Sequence, residues 1–353
     1  MADDFTLLAE LCESSGIPGR EGRLREIVLR ELEPIVDTLE VDKLGNVAGH
    51  KKATKGRTPL KLMLAAHMDE IGFVVSHVDD RGLLRLVPLG GHDPRNMVAQ
   101  RVTVAARRGD LTGILYPGVK PPHIQTDADR GKTLSIPDFF VDLCLPPSRV
   151  KRDVEIGTMV TIQREFAEVG NGFSCKSIDN RVAIFVMIEA MRRANSFGFD
   201  VYAVATVQEE IGLRGVGVSA FGIEPDVGVA LDTTIAADIP GVPEHEWVTG
   251  LGEGVGIKLQ DSGSISHPGL VSYMRSLAIR RKIKHQLEVL PRGGTDAGGI
   301  QRVRDGVPVI TLSLPTRYIH TSVELVSKGD VQAATRLLSA FIEEGQRADL
   351  SMV

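Results

Sequence analysis

Four apolar runs, each leading into a residue able to hold a metal ion, constrain this chain more than any other feature of it. Leu62 to Ala66 ends at His67, Val201 to Val207 leads to Glu209 and Glu210, Val227 to Leu231 ends at Asp232, and Val307 to Leu314 stops shortly before His320. A strand buried on both faces reads as such a run rather than as an alternation, and open α/β sheets bind ligands beyond the carboxyl ends of their strands. The four runs therefore predict an α/β fold that delivers polar side chains to one sheet edge. Asp179 enters differently. It follows Ser177 and precedes the mostly apolar run Val182 to Met191, closed by Arg192 and Arg193, so it is expected at the start of a helix whose last turn carries suitable cations.

His67, Asp179, Glu210, Asp232 and His320 make a donor set for two divalent ions. Ions about 3.5–4 Å apart can be held by two terminal histidines, two terminal carboxylates and one bridging carboxylate, leaving a place for a shared water. Glu209 is then free to move that water's proton. Such ligands suit zinc, and equally cobalt or manganese, because availability and geometry choose among these metals more than ligand type does. Taken singly, a histidine at a strand end is more often structural, and a Glu-Glu pair is more often a solvated turn. The metal reading rests on all five contexts occurring together.

With 353 residues, 42% hydrophobic and 25% charged, the chain can bury a large core in one big domain or two moderate ones. A net charge of -5 excludes nucleic acid as an obligatory partner, since phosphate binding needs a basic footprint. The Lys and Arg cluster from Arg275 to Lys284 reads as a solvated helix face. Cys12, Cys144 and Cys175 are odd in number and lack paired spacing, which suits a reducing compartment and gives neither a disulfide frame nor a thiolate metal site. Met1 to Thr6 carries acids and no basic leader region, and no stretch reaches about 18 consecutive apolar residues. A cytoplasmic protein without membrane contact is expected.

The texture of the chain changes twice. Phe5 to Glu33 reads as two helices broken at Gly16, Pro18 and Gly19. Between about Glu70 and Glu165 come short β-like segments, Phe73 to Val78, Leu83 to Val87, Arg101 to Ala106, Leu111 to Leu115 and Met159 to Ile162, with little helical periodicity. This predicts a β-rich domain, residues 70–165, inserted between two parts of an α/β domain, residues 1–69 and 166–353. Strand and helix alternation then resumes and closes with an amphipathic helix around Val331 to Ile342.

The runs His67-Met68-Asp69-Glu70-Ile71-Gly72-Phe73, Ser177-Ile178-Asp179-Asn180-Arg181, Val207-Gln208-Glu209-Glu210-Ile211-Gly212-Leu213-Arg214-Gly215 and Tyr318-Ile319-His320-Thr321 resemble the TET (tetrahedral) dinuclear metalloaminopeptidases. Members of this family have also been labelled glutamyl aminopeptidase or endoglucanase M. Similarity extends to Gly45-Asn46-Val47, Pro121-Pro122-His123, Ala220 to Pro225 and Gly293-Gly294-Thr295-Asp296-Ala297. The resemblance implies a zinc-exopeptidase-like mixed sheet flanked by helices, with a small barrel- or PDZ-like dimerisation domain inserted after the first ligand. It implies that His67 and Asp232 hold one ion, Glu210 and His320 the other, that Asp179 bridges, and that Glu209 is the general base. Asp69 is placed to accept a hydrogen bond from the second ring nitrogen of His67. The implied activity is hydrolysis of N-terminal residues from short peptides with a free amino terminus, in a homo-oligomer of dimers, a hollow dodecamer.

Other readings compete with this one. Deacylation of N-acyl amino acids could use the same site. An endoglucanase would need paired carboxylates and an aromatic surface for the sugar, against an aromatic content of 5% and a single Trp. A scaffold without activity would be expected to lose at least one costly ligand. Gly293, Gly294, Gly298 and Gly299 lack the Lys and Ser or Thr of a phosphate loop, and Gly252, Gly254 and Gly256 lack a dinucleotide fingerprint's strand and acid. Asp296 is a candidate contact for the substrate amine, and His92 and His123 are expected at the surface or an interface. Val216-Gly217 and Glu253-Gly254-Val255 depart from the family pattern in loops expected to shape the pocket or assembly contacts.

Overall fold

The computed structural model describes residues 5–56, 59–127 and 133–351; the acidic start, Met1 to Asp4, lies outside them. Its larger part is one mixed sheet of eleven strands. The strands are β1 (Thr38–Val41), β2 (Val47–Lys51), β3 (Lys61–His67), β10 (Ala167–Val169), β11 (Gly172–Cys175), β12 (Asp200–Thr206), β13 (Val227–Ile235), β14 (Val255–Gln260), β15 (His285–Val289), β16 (Val309–Arg317) and β17 (Glu324–Ser327). They run in the order β1-β2-β12-β3-β13-β16-β17-β11-β10, with β14 and β15 branching from β16. The centre, β12, β3, β13 and β16, is parallel.

Burial on both faces explains the apolar runs. Along β3, Leu62, Leu64 and Ala66 join the main core while Met63 and Ala65 join a smaller core on the opposite face. Successive side chains alternate in direction, but helices cover both sides, so neither face needs polar residues. The helices Thr6–Glu13, Gly22–Leu32, Ile178–Arg193 and Lys328–Glu344 contribute to the main core; Arg214–Ile223 and Asp296–Gln301 contribute to the other. Ile178–Arg193 is buried around almost its whole girth, which is why its sequence is apolar on all sides.

One expectation shifts here and another holds. The β13 strand continues three residues past Asp232, because Thr233 and Thr234 are β-branched, buried and paired with Leu314 and Pro315 of β16. The Arg275 to Lys284 cluster lies largely on the helix Pro268–Arg280 and the turn after it, with Arg275, Arg280, Arg281, Lys282 and Lys284 exposed. Among the described residues, no helix is long and apolar enough to cross a membrane.

Between β3 and β10 a closed six-stranded barrel interrupts the sheet. Its strands are β4 (Gly72–Val78), β5 (Leu84–Leu89), β6 (Gln100–Ala106), β7 (Gly109–Pro117), β8 (Phe139–Asp142) and β9 (Met159–Ile162), ordered β4-β5-β8-β7-β6-β9 around the barrel. The barrel has a separate core in which Val102 and Val104 point in and Arg101 and Thr103 do not, the period-two pattern of a strand with one wet face. The β8 strand and the helix Pro147–Asp153 had no clear signal in sequence. Pro146-Pro147 reads as a turn although Pro147 opens the helix, where its missing N–H costs nothing. Closure leaves the barrel without a free strand edge.

Candidate active site

The predicted residues converge beyond the carboxyl end of the parallel strands. His67 is the last residue of β3 and lies in register with Thr206, the last of β12; Glu209 and Glu210 follow β12 after Val207 and Gln208. Asp232 lies within β13 opposite Ser313. After β16, Tyr318 and His320 both take left-handed backbone conformations, turning the chain back over the edge. Asp179 stands at the head of the helix Ile178–Arg193, in a non-helical stretch before the regular turns begin.

Two donor groups result, and they share one residue. His67, Asp179 and Asp232 form the first and Asp179, Glu210 and His320 the second, the donor atoms of each lying within 4.8 Å of one another. The Nε2 atom of His67 is 3.4 Å from Asp179 Oδ1 and 3.8 Å from Asp232 Oδ1. The Nε2 atom of His320 is 3.6 Å from Asp179 Oδ2 and 3.3 Å from Glu210 Oε1. Glu209 belongs to neither group, although its Oε2 lies 3.8 Å from His67 Nε2.

The donor set suits divalent cations on its own chemistry. Nδ1 of His67 faces the carbonyl of Asp69 at 3.0 Å, which places the ring proton there and leaves the Nε2 lone pair aimed at carboxylates. Oδ1 of Asp179 is buried with no hydrogen-bond partner. A lone pair facing anions, beside an unsatisfied buried carboxylate oxygen, calls for a cation between them. The expectation for Asp69 changes in detail. Its carboxylate is 3.6 Å from the ring and is occupied elsewhere, accepting the main-chain N–H groups of Glu209 at 3.0 Å and Glu210 at 3.1 Å.

That bond pair is part of a longer arrangement. Four successive main-chain N–H groups after β12 each donate to a side chain from the first part of the chain: Val207 to Asn46, Gln208 to Glu21, and Glu209 and Glu210 to Asp69. Asn46 also donates to the carbonyl of Gly215. A Cβ at Gly215 would stand 2.3 Å from the Val207 carbonyl oxygen and 2.4 Å from Asn46 Oδ1, so a glycine is required for the helix to start this close. Glu324 was missed in sequence, because a carboxylate in a short strand four residues past His320 carries no distinguishing pattern. It is buried and accepts the N–H of Asp179 at 2.9 Å and of His320 at 2.7 Å.

Residues 45–337 match the M42 glutamyl aminopeptidase family. The chain belongs to this family. The M42 chain is 36% identical over 354 residues to a lysyl aminopeptidase of Pyrococcus furiosus, covering 99% of each, and 31% identical over 347 residues to a glutamyl aminopeptidase of Lactococcus lactis, covering 96% of this chain and 95% of that one. Among solved structures, an aminopeptidase of Desulfurococcus kamchatkensis superposes with a TM-score of 0.91 at 40% identity, covering 96% of this chain and 94% of that one. The Pyrococcus horikoshii TET1 peptidase, described as assembling into a tetrahedron or a large octahedral shell, superposes at 0.84 with 28% identity, covering 96% and 98%. The M42 chain is thus a metal-dependent aminopeptidase with the mixed sheet and closed barrel of the TET peptidases.

Electrostatics in the M42 site follow from burial. Burial drives the Glu209 and Asp232 carboxyls well above the usual range, partly countered by His67, and raises Glu210 against the pull of His320. Asp179 is the exception: burial opposes its charge, yet the two histidines on either side hold it below the usual range. His320, despite burial, is lifted to about 11 by Asp179 and Glu210.

Residues left open by the sequence now have places in the M42 structure. Asp296 does not line the cavity at the site; it lies buried behind it and accepts a hydrogen bond from Thr206 Oγ1 at 2.5 Å. His123 is exposed and His92 is half-buried: its ring stacks on Phe73 with Nε2 3.0 Å from the Gly72 carbonyl, and burial lowers its pKa to about 4. The departures at Val216 and Glu253 do not border the cavity. Val216 packs in the smaller core, and Glu253 pairs with Lys284 at the surface.

Proposed function

We propose that His67, Asp179 and Asp232 hold one divalent ion of this aminopeptidase, that Asp179, Glu210 and His320 hold a second, and that Glu209 moves the proton during peptide hydrolysis. The observation that carries this reading is the pair of donor groups meeting at Asp179 alone. Mixed imidazole and carboxylate donors favour zinc, with cobalt or manganese as the alternatives. When bound, two such ions polarise a peptide carbonyl and acidify a shared water.

The remaining work falls to the chain's own groups. Glu209 lies against His67 without belonging to either donor group, and burial raises its proton affinity, so its carboxylate suits accepting a proton and returning it to the leaving amine. Its main-chain bond to Asp69 holds it in place. The site's anionic character suits a free α-amino group, which supports short peptides with an unblocked amino terminus as substrates. The residue blocks 1–69, 70–165 and 166–353 serve as catalytic, dimerising and catalytic parts. Exposed apolar side chains on the barrel, Val87, Ile114, Tyr116 and Ile124, support its role in subunit contact, and the likeness to TET1 supports a dodecamer built from dimers. Three unpaired cysteines support a cytoplasmic setting.

The test is Glu209→Gln, with bound metal counted and amino-acid release followed from free and N-acetylated short peptides. Unchanged metal content with turnover down at least ~100-fold, on free amino termini only, is expected. Near-normal turnover would remove Glu209 from the chemistry, and cleavage of blocked peptides alone would make the enzyme a deacylase.

A further inference from the structure

The donor set opens into a cavity of about 740 Å³ whose far side is made of different residues. If the amino end of a peptide lies at the two histidines, as the proposed function requires, its first side chain has the rest of that cavity to occupy. The walls there are aliphatic: Ile235, Ala236, Ala237, Ile239 and Val242 follow one another along the segment after β13 begins to leave the sheet, and Leu290 faces the cavity from the end of β15. The carboxylates that line the cavity are Asp179, Glu209, Glu210 and Asp232, all committed to the reacting end. Asp238, the acid within the aliphatic segment, does not line the cavity and is tied to Arg317 by contacts of 2.7 and 3.0 Å. Arg292 is the one Lys or Arg in the lining, and it is exposed.

We propose that this aliphatic half of the cavity is the site for the substrate's first side chain and that it selects uncharged aliphatic residues of leucine size, with Arg292 at its mouth turning lysine and arginine away. This rests on the aminopeptidase reading above. An aliphatic side chain gains roughly 0.8 kcal/mol for each methylene taken out of water against such walls. A lysine ammonium would lose water without meeting a free carboxylate and would approach a like charge. An acidic side chain would gain only the attraction of a solvent-exposed guanidinium, weakened by water and salt. The P. furiosus and L. lactis relatives are named for lysyl and glutamyl substrates, so family membership does not choose among these classes.

The experiment compares kcat/KM for the 4-nitroanilides of leucine, glutamate and lysine on the enzyme reconstituted with zinc, cobalt or manganese, together with calorimetric binding of free L-leucine, L-glutamate and L-lysine. Leucine is expected to lead lysine by about 10-fold or more and to lead glutamate, in turnover and in binding alike. Equal or better use of lysine or glutamate would overturn the proposal. The variants Arg292→Glu and Val242→Asp, which place a carboxylate at the mouth and in the wall, are each expected to raise the lysine-to-leucine ratio by about 10-fold. An unchanged ratio in both would show that the side chain lies elsewhere. If the reconstituted enzyme cleaves none of the anilides, the aminopeptidase reading fails, and the ranking of the three free amino acids still decides what this cavity prefers.

Discussion

Glu324 holds Asp179 by its main chain: one carboxylate oxygen accepts the Asp179 N–H at 2.9 Å while the other accepts that of His320 at 2.7 Å. A single buried side chain thus fixes the spacing of the residue common to both donor groups and the terminal histidine of one of them. Groups that orient ligands typically account for 10–100-fold in metal affinity. Glu324→Ala is therefore expected to weaken binding of at least one ion by about that factor, read by titrating chelated protein with zinc or cobalt. Unaltered affinity would mean that the backbone keeps its place unaided.

Glu70 anchors a second buried group of charges. Its carboxylate meets Lys176 Nζ at 2.8 Å and Arg181 at 3.6 Å, all three side chains being almost wholly buried. Removing one partner leaves uncompensated buried cations. Glu70→Ala is expected to cost ~3–5 kcal/mol in denaturant unfolding, whereas removing the exposed pair of Arg23 and Asp110 should cost under ~1 kcal/mol. Similar losses from both would contradict this account.

Burial lifts Asp296 to about 6. Because the folded chain then holds this proton more firmly than the unfolded one, the stability it contributes is greatest below about pH 4 and is lost as pH rises towards about 6. In chelated protein, Asp296→Asn should flatten the fall in stability between these values, a difference of at most ~2–3 kcal/mol. Parallel pH profiles for the two proteins would show that Asp296 does not titrate there.

Removing divalent ions should lower the unfolding temperature, since cations held as proposed would offset the negative charge of Asp179, Glu209, Glu210 and Asp232. The drop should largely vanish in Asp179→Ala, which deprives both donor groups of their shared member. A drop of the same size in that variant would place the stabilising ion elsewhere.

Much of this architecture was legible because burial and chemistry leave marks at single positions. The β3, β12 and β16 runs were visible because strands covered on both faces carry few polar residues, and His67 and Glu210 stand where those runs stop. Five barrel strands were visible as short β-like segments with little helical periodicity, whereas β8, Phe139-Phe140-Val141-Asp142, was not. Asp69 and Glu324 act through main-chain N–H groups brought to them by the fold, and nothing local distinguishes such a carboxylate from a solvated one. The aliphatic wall from Ile235 to Val242 was equally hidden, since its apolar residues face a cavity that exists only once β13 and β15 are in place.

The first and last strands of the barrel lie side by side, Phe73 paired with Val160. Between His67 and Asp179 the chain therefore enters and leaves the barrel at neighbouring points, although β3 and β10 on either side of it are separated in the sheet by four strands, and to the rest of the enzyme the barrel is equivalent to a short loop. Its length adds almost nothing to the entropy of bringing those two residues together once the barrel has closed on itself. The insertion is thereby free to lengthen, shrink or change its outer face while the distance between the donors stays the same.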